Sequence, residues 1–203
     1  MTDWISAVAN VFVAAAAGVG AFTAWRGLNT WRAELRGRNE YDLARRVLLA
    51  LYRTREAIQA ARSPSMSSVE YESRPDRRPH DRPWSGKDMR YAYQQRWSRI
   101  SAALVELDAD LLEAEALWGA TLKNPRTNLQ KCLAELGVNI TKHLRAHAPD
   151  DLPFLERKPM TPDEIEANDA IVWNLGEGND VFGDRVAAAV HEFEAVLRPH
   201  LRR

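Results

Sequence analysis

The sequence predicts an all-α protein in which a single N-terminal transmembrane helix is followed by a cytosolic helical bundle. Three observations lead there. Residues Trp4 to Trp25 carry no charged side chain. Apolar residues in the rest of the chain recur at steps of three and four. No segment alternates with period two, and no hairpin signal is present. The chain of 203 residues divides into an anchor (1–27), a helix continuing it (28–62), a loop rich in Pro, Arg and Ser (63–88) and the remaining helices of the bundle (89–203).

The first segment, WISAVANVFVAAAAGVGAFTAW, is roughly 33 Å long as a helix, close to one hydrocarbon core. Trp4 and Trp25 bracket it, where indoles favour the two water interfaces. Arg26, Arg32, Arg36 and Arg38 follow, with Glu34 the one acid among them, and are read as headgroup contacts. That charge order predicts an N-terminus outside and a C-terminal domain in the cytoplasm. A cleaved signal peptide would place positive charge ahead of its apolar core, whereas Asp3 precedes this one. A buried core helix is the other alternative, because four consecutive alanines, Ser6, Asn10 and Thr23 make the span only modestly hydrophobic. The span has two faces. Ser6, Asn10, Ala14, Ala17 and Ala21 fall on one side with Gly18 at its margin, and Ile5, Val8, Phe12, Val19 and Phe22 fall on the other. A small face with an Asn lets helix backbones approach and hydrogen-bond, so self-association of anchors is expected there.

The helical signal continues past Trp25. Apart from Gly27 and Gly37, no breaker occurs from Leu28 to Arg62. Ala44, Leu48, Leu51 and Ile58 recur at helical spacing, widened by Val47 and Tyr52. The anchor and the next helix are thus expected to form one rod, with Gly37 as the place for a kink. Between Arg26 and Arg62 nine arginines face Glu34, Glu40, Asp42 and Glu56, a pattern suited to anionic headgroups. Residues 63–88 hold four prolines and many charges and read as loop. Arg74, Arg77, Arg78, Arg82 and Lys87 lie in it, interleaved with acids as in a solvated charged segment.

Tyr93, Trp97, Ile100, Leu104, Leu107, Leu111, Ala114 and Trp118 alternate steps of four and three, a seam built for knobs-into-holes packing. Gly119 and Asn124-Pro125 mark its end. Leu129, Leu133, Leu136, Ile140 and Leu144 define the next helix, closed by Ala148-Pro149. Thr161-Pro162-Asp163-Glu164 has the order of a helix start: Thr as N-cap, Pro in the first turn, acids at the positive end of the dipole. Asn179-Asp180 opens the last helix, lined by Phe182, Val186, Val190, Phe193 and Leu197 and limited by Pro199.

The formal net charge is zero, so no bulk attraction to nucleic acid is implied and no nucleic-acid partner is expected. Cys132 is the single cysteine, which excludes an intrachain disulfide and a cysteine-cluster metal site. Glu106, Asp108, Asp110, Glu113 and Glu115 form an acidic run. The E-x-x-H spacing of di-iron bundles is absent, and the run is expected to face the arginine-rich first helix. Lys142, His143, Arg145 and His147 cluster at a helix C-terminus, where the dipole favours cations. No phosphate-loop, dinucleotide, zinc-protease or serine-hydrolase motif occurs, and no cofactor is expected.

Arg185 and His191 resemble the R-x(4–6)-H motif of HEPN ribonucleases, an all-α family in which the pair cleaves RNA. The resemblance implies His as acid/base and Arg as stabiliser of phosphorane charge, on a domain also found in membrane-anchored defence effectors. Val186 stands where that family carries a polar residue, and such spacings arise easily in an arginine-rich chain. The run GLNTWRAELRGRNEYDLARRVLLALYRTREAI, the SPS of the loop, LEAEALWG and LRPHLRR together resemble a family of uncharacterised bacterial single-pass inner-membrane proteins with a cytosolic helical domain. That resemblance implies an inner-membrane location and transfers no functional residue. The expected function is therefore non-enzymatic: a membrane-anchored helical scaffold, oligomeric, in contact with membrane lipid and an unidentified protein partner. The alternative is a defence or stress effector acting as a pore or as a ribonuclease through Arg185 and His191.

Overall fold

Helical periodicity this regular leaves few ways to bury the apolar stripes, and the computed structural model of the chain adopts the simplest of them. It describes residues 3–78, 80, 84–147, 160–174 and 180–201, with side chains of the first helix from residue 17 onward. Helix α1 spans Asp3–Ala61, α2 Val69–Glu72, α3 Gly86–Trp118, α4 Lys123–His147, α5 Pro162–Val172 and α6 Val181–Leu201. No strand occurs among the described residues.

The C-terminal part of α1 packs on α3 and α6, and α4 closes the ring against α3 and α6. Cross-helix pairs fix the directions. Arg46 meets Asp110 while Arg53 meets Glu106, so α1 and α3 run antiparallel. Tyr52 donates to Glu194 at 2.7 Å while Glu40 meets His200, which sets α6 antiparallel to α1. Arg126–Asp108 with Gly137 against Trp97 do the same for α4 and α3, and Asn128–Glu192 with Glu135–Arg185 for α4 and α6. The result is an up-down-up-down four-helix bundle with α5 across the end away from the N-terminal half of α1. Its core contains Leu43, Val47, Leu51 and Ile58 of α1, Ile100, Leu107 and Leu111 of α3, Leu129 and Leu136 of α4, and Val186, Phe193 and Leu197 of α6.

The sequence's start and stop signals act as local chemistry requires. Thr161 caps α5: its hydroxyl accepts from the Glu164 N–H, and the Glu164 carboxylate accepts from the Thr161 N–H at 2.8 Å. Asp180 caps α6 by accepting from the Gly183 N–H at 2.8 Å. At the end of α3, Gly119 adopts φ 68° and ψ −156°, a conformation open essentially to glycine, before a 3-10 turn over Gly119–Leu122 leads into α4. Gly137 of α4 is needed for a different reason, since a Cβ there would stand 3.0 Å from the Trp97 ring.

One expectation is refined. Residues 63–88 are not simply loop. They include α2, bury Tyr71 and Arg74, and end in a capping box in which Ser85 and Asp88 hold each other's backbone N–H, so α3 begins at Gly86. Pro199 lies inside the last turn of α6, which ends at Leu201, as its limiting role predicts. The expected single rod is present: α1 stays helical through Gly27 and Gly37. Among the described residues no helix is long and apolar enough to cross a membrane. Within the uncharged 4–25 segment, the side chains of residues 4–16, including Ser6, Asn10 and Ala14, lie outside the described residues. So does Arg82.

Candidate functional site

A bundle this size needs only the last two dozen residues of α1, yet the helix has 59. Residues 17–39 are all exposed, about 35 Å of helix with no core of its own. Val19, Phe22, Trp25, Leu28, Trp31 and Leu35 are large apolar side chains left between 40% and 65% exposed. The rings of Phe22 and Trp25 lie beside each other, centroids 6.3 Å apart. Ala17, Gly18 and Ala21 are exposed beside them. Arg26, Arg32, Arg36 and Arg38 are exposed on the same segment, and Arg38 reaches back to Glu34 at 3.2 Å. Where α1 meets the bundle, exposed ion pairs take over: Arg46 with Asp110 and Glu113, Arg53 with Glu106. Glu106, Asp110 and Glu113 of the acidic run therefore face arginines of α1, whereas Asp108 pairs with Arg126 of α4 at 2.8 Å. Among the described residues no His, Cys, Asp and Glu cluster is arranged to hold a metal ion.

The root of α1 is held by two buried arginines. Arg62, the residue after the last helical turn, is 1% exposed. Its guanidinium donates to the carbonyls of Ile171 (2.8 Å), Trp173 (3.0 Å) and Ala170 (3.2 Å) and to both Asp180 oxygens at 2.7 Å, over the Phe182 ring. It thus satisfies carbonyls that the end of α5 cannot satisfy internally and ties them to the start of α6. The Arg62 carbonyl in turn accepts from the Asn174 N–H at 2.7 Å. Arg96 of α3, 4% exposed, donates to the carbonyls of Ser63 and Ser65 at 2.7 Å and to Ala61 at 3.4 Å, and forks onto Glu70 of α2. These bonds hold the Asp180 and Glu70 carboxyls below the usual carboxylate range, chiefly through the two guanidinium groups. Arg74 forms a third such contact, to Asp88 at 2.8 Å, and is a structural group rather than a free cation.

No family model matches this chain, and no curated protein or solved structure is significantly similar to it.

Beside that root, α4 and α5 enclose His143. It is 2% exposed, its Nδ1 lies 3.1 Å from Asp169, and the rings of Tyr93, Trp173 and His147 surround it. Burial, and then the neighbouring His147, push its pKa below the ordinary 6.5, against the opposing pull of Asp169. Asn168 donates to Asn139 nearby, at 2.9 Å to both its carbonyl and its side-chain oxygen. Folding therefore excludes a proton that the unfolded chain binds, so stability is full above pH 6.5 and declines as pH falls from there. The Glu70 and Asp180 contributions decline later, in the acidic range. The expected melting curve falls in two stages on acidification, and His143→Gln removes the first stage only; an unchanged first stage would assign it to another group.

Arg185 and His191 are not brought together. Arg185 forks onto Glu135 of α4 at 2.8 and 2.9 Å, while His191 points to solvent with Glu194 3.5 Å away. Six residues apart on α6, they diverge by about 120° around the helix. A small groove of about 180 Å³ between α3, α4 and α6 is lined mainly by leucines and Phe193 and contains neither of them.

In sequence His143 reads as part of a basic cluster at a helix C-terminus and Arg62 and Arg96 show no burial, although spacing marks both Arg96 and His143 as core positions. Arg96 stands three residues after Tyr93 and four before Ile100, and His143 stands three after Ile140. Both continue seams whose other members are apolar.

Proposed function

We propose that the protein is a single-pass membrane protein in which the N-terminal half of α1 anchors a cytosolic four-helix bundle, and that the bundle serves as an interaction module rather than an enzyme. One observation carries this reading. A single helix supplies a full side of the bundle core and then continues, exposed, into a stretch of tryptophans and arginines that ends in uncharged sequence. Water is a poor surrounding for Val19, Phe22 and Trp25, whereas the acyl chains and interface of a bilayer suit them. Arg26, Arg32 and Arg36 lie within about three turns of that stretch, toward the anionic headgroups on the cytoplasmic side. The bacterial inner membrane, with the N-terminus outside, fits this charge order, and other copies of the chain are the first partner it suggests.

Fractionation of cells expressing the full chain tests the proposal. The chain is expected in the membrane pellet after alkaline carbonate extraction, and a reporter fused to its C-terminus is expected to be active only in its cytoplasmic form. Recovery of folded chain in the carbonate supernatant would overturn the anchor.

A further inference from the structure

Helix α5 is fastened to the bundle by polar contacts more than by apolar ones. Of its 11 residues Asn168 and Val172 are the buried ones, and α4 is the helix it chiefly packs on. Its apolar contacts gather at one end, where Ile171, Val172 and Trp173 meet the core. Arg62 holds the carbonyls of Ala170, Ile171 and Trp173 at that same end. The first turns are mostly exposed, Asp163, Glu164, Glu166 and Ala167 among them. Between the two ends Asn168 donates to Asn139, and Asp169 meets His143.

That middle contact suits a neutral imidazole and not a charged one. His143 and His147 are stacked, ring centroids 4.3 Å apart, and Asp169 is the carboxylate in contact with the pair. Tyr93 of α3 and Trp173 close edge-on around His143, at 5.7 and 5.1 Å, and Trp173 Nε1 donates to the Tyr93 hydroxyl at 3.3 Å. Each of these two walls already carries a guanidinium. Arg96 lies 5.6 Å from the Tyr93 ring centre, and Arg62 donates to the Trp173 carbonyl. Glu70 and Asp180 are committed to those two arginines. The other acids of α5, Asp163, Glu164 and Glu166, are exposed, as are Lys142 and Arg145 of α4. Protonation therefore sets two imidazolium rings face to face against one carboxylate, with one of the rings 2% exposed.

We infer that α5 is a flap released by acid: charging of His143 and His147 opens the α4–α5 contact, and α5 swings out from its first turn while Arg62 keeps its other end on the bundle. The movement falls to α5 because Leu129, Leu133, Leu136 and Ile140 fix α4 in the core. Docked, His143 resists protonation. Released, it takes up a proton at the ordinary imidazole value of 6.5, so docking is full above that pH and is lost below it. Release uncovers Asn139 and His143, a polar strip that is closed at neutral pH. The first stage of acid destabilisation is then a local opening of α5, not a loosening of the four long helices.

Hydrogen exchange of the detergent-solubilised full chain, read by mass spectrometry and corrected for the intrinsic pH dependence of exchange, tests the flap. An undocked helix as short as α5 does not protect its own amides. From about pH 7.5 to about pH 5.5, protection of residues 165–172 is expected to fall roughly tenfold or more, while the middles of α3 and α6 change by less than about twofold. His147→Ala, at an exposed position, is expected to move the midpoint of this loss to lower pH by removing the second charge. Asp169→Asn is expected to move it to higher pH by removing the one carboxylate, and His143→Gln to make the α5 profile flat. Protection that falls equally in α5 and the long helices, or stays constant over this range, would overturn the flap. So would a profile as steep in His143→Gln as in the wild-type chain, or a midpoint that neither His147→Ala nor Asp169→Asn moves.

Discussion

Arg62→Met lowers the stability of the bundle by about 3–5 kcal/mol, the usual cost of breaking a buried ion pair by removing one member. Methionine fills much of the space but leaves three carbonyls at the end of α5 and the Asp180 carboxylate without their donor. For a domain of this size the loss corresponds to a fall in melting temperature of roughly 10 °C, read by circular dichroism on the detergent-solubilised full chain. Arg46→Met is the matching control. Its partners Asp110 and Glu113 are reached from a half-exposed side chain, so a change of under about 1 kcal/mol is expected. Equal effects of the two substitutions would mean that Arg62 holds nothing the surface pair does not.

Arg96→Met is expected to cost about 3 kcal/mol and to act on a different region. Its guanidinium gathers Ser63, Ser65 and Glu70, so its loss frees the segment between α1 and α3 before it loosens the helices. Limited proteolysis should then cut within residues 63–85 at protease levels that leave the wild-type chain intact. Unchanged cleavage together with a lowered melting temperature would place the role of Arg96 in the α1–α3 contact alone.

These two residues show where sequence reading stops. The bundle itself was legible: the seams of α3, α4 and α6 are runs of aliphatic and aromatic side chains at helical steps, and burial follows from transfer of those groups out of water. Thr161-Pro162 and Asp180 announced their helix starts because capping is local chemistry. A buried arginine has no such local sign. Arg62 is stable only because chain more than one hundred residues away presents carbonyls and Asp180 at bonding distance, and no window of sequence contains that fact. The order within residues 63–88 was hidden for the same reason, since their prolines and charges describe a loop until Arg96 of α3 is placed beside Ser63, Ser65 and Glu70. Arg185 and His191 show the converse. Their spacing was visible, but the structure gives them separate partners on diverging sides of α6.

The unbroken course of α1 has a consequence for how such a chain can change over time. One helical phase governs both the side that enters the bundle and the side that carries Leu28, Trp31 and Leu35. Each residue added or removed between them turns one against the other by about 100°. The length of the 36–42 stretch is therefore a timing constraint: insertions of whole heptads there keep the two sides in phase, while single-residue changes would swing the bundle around the N-terminal half of α1 without altering a contact inside the bundle.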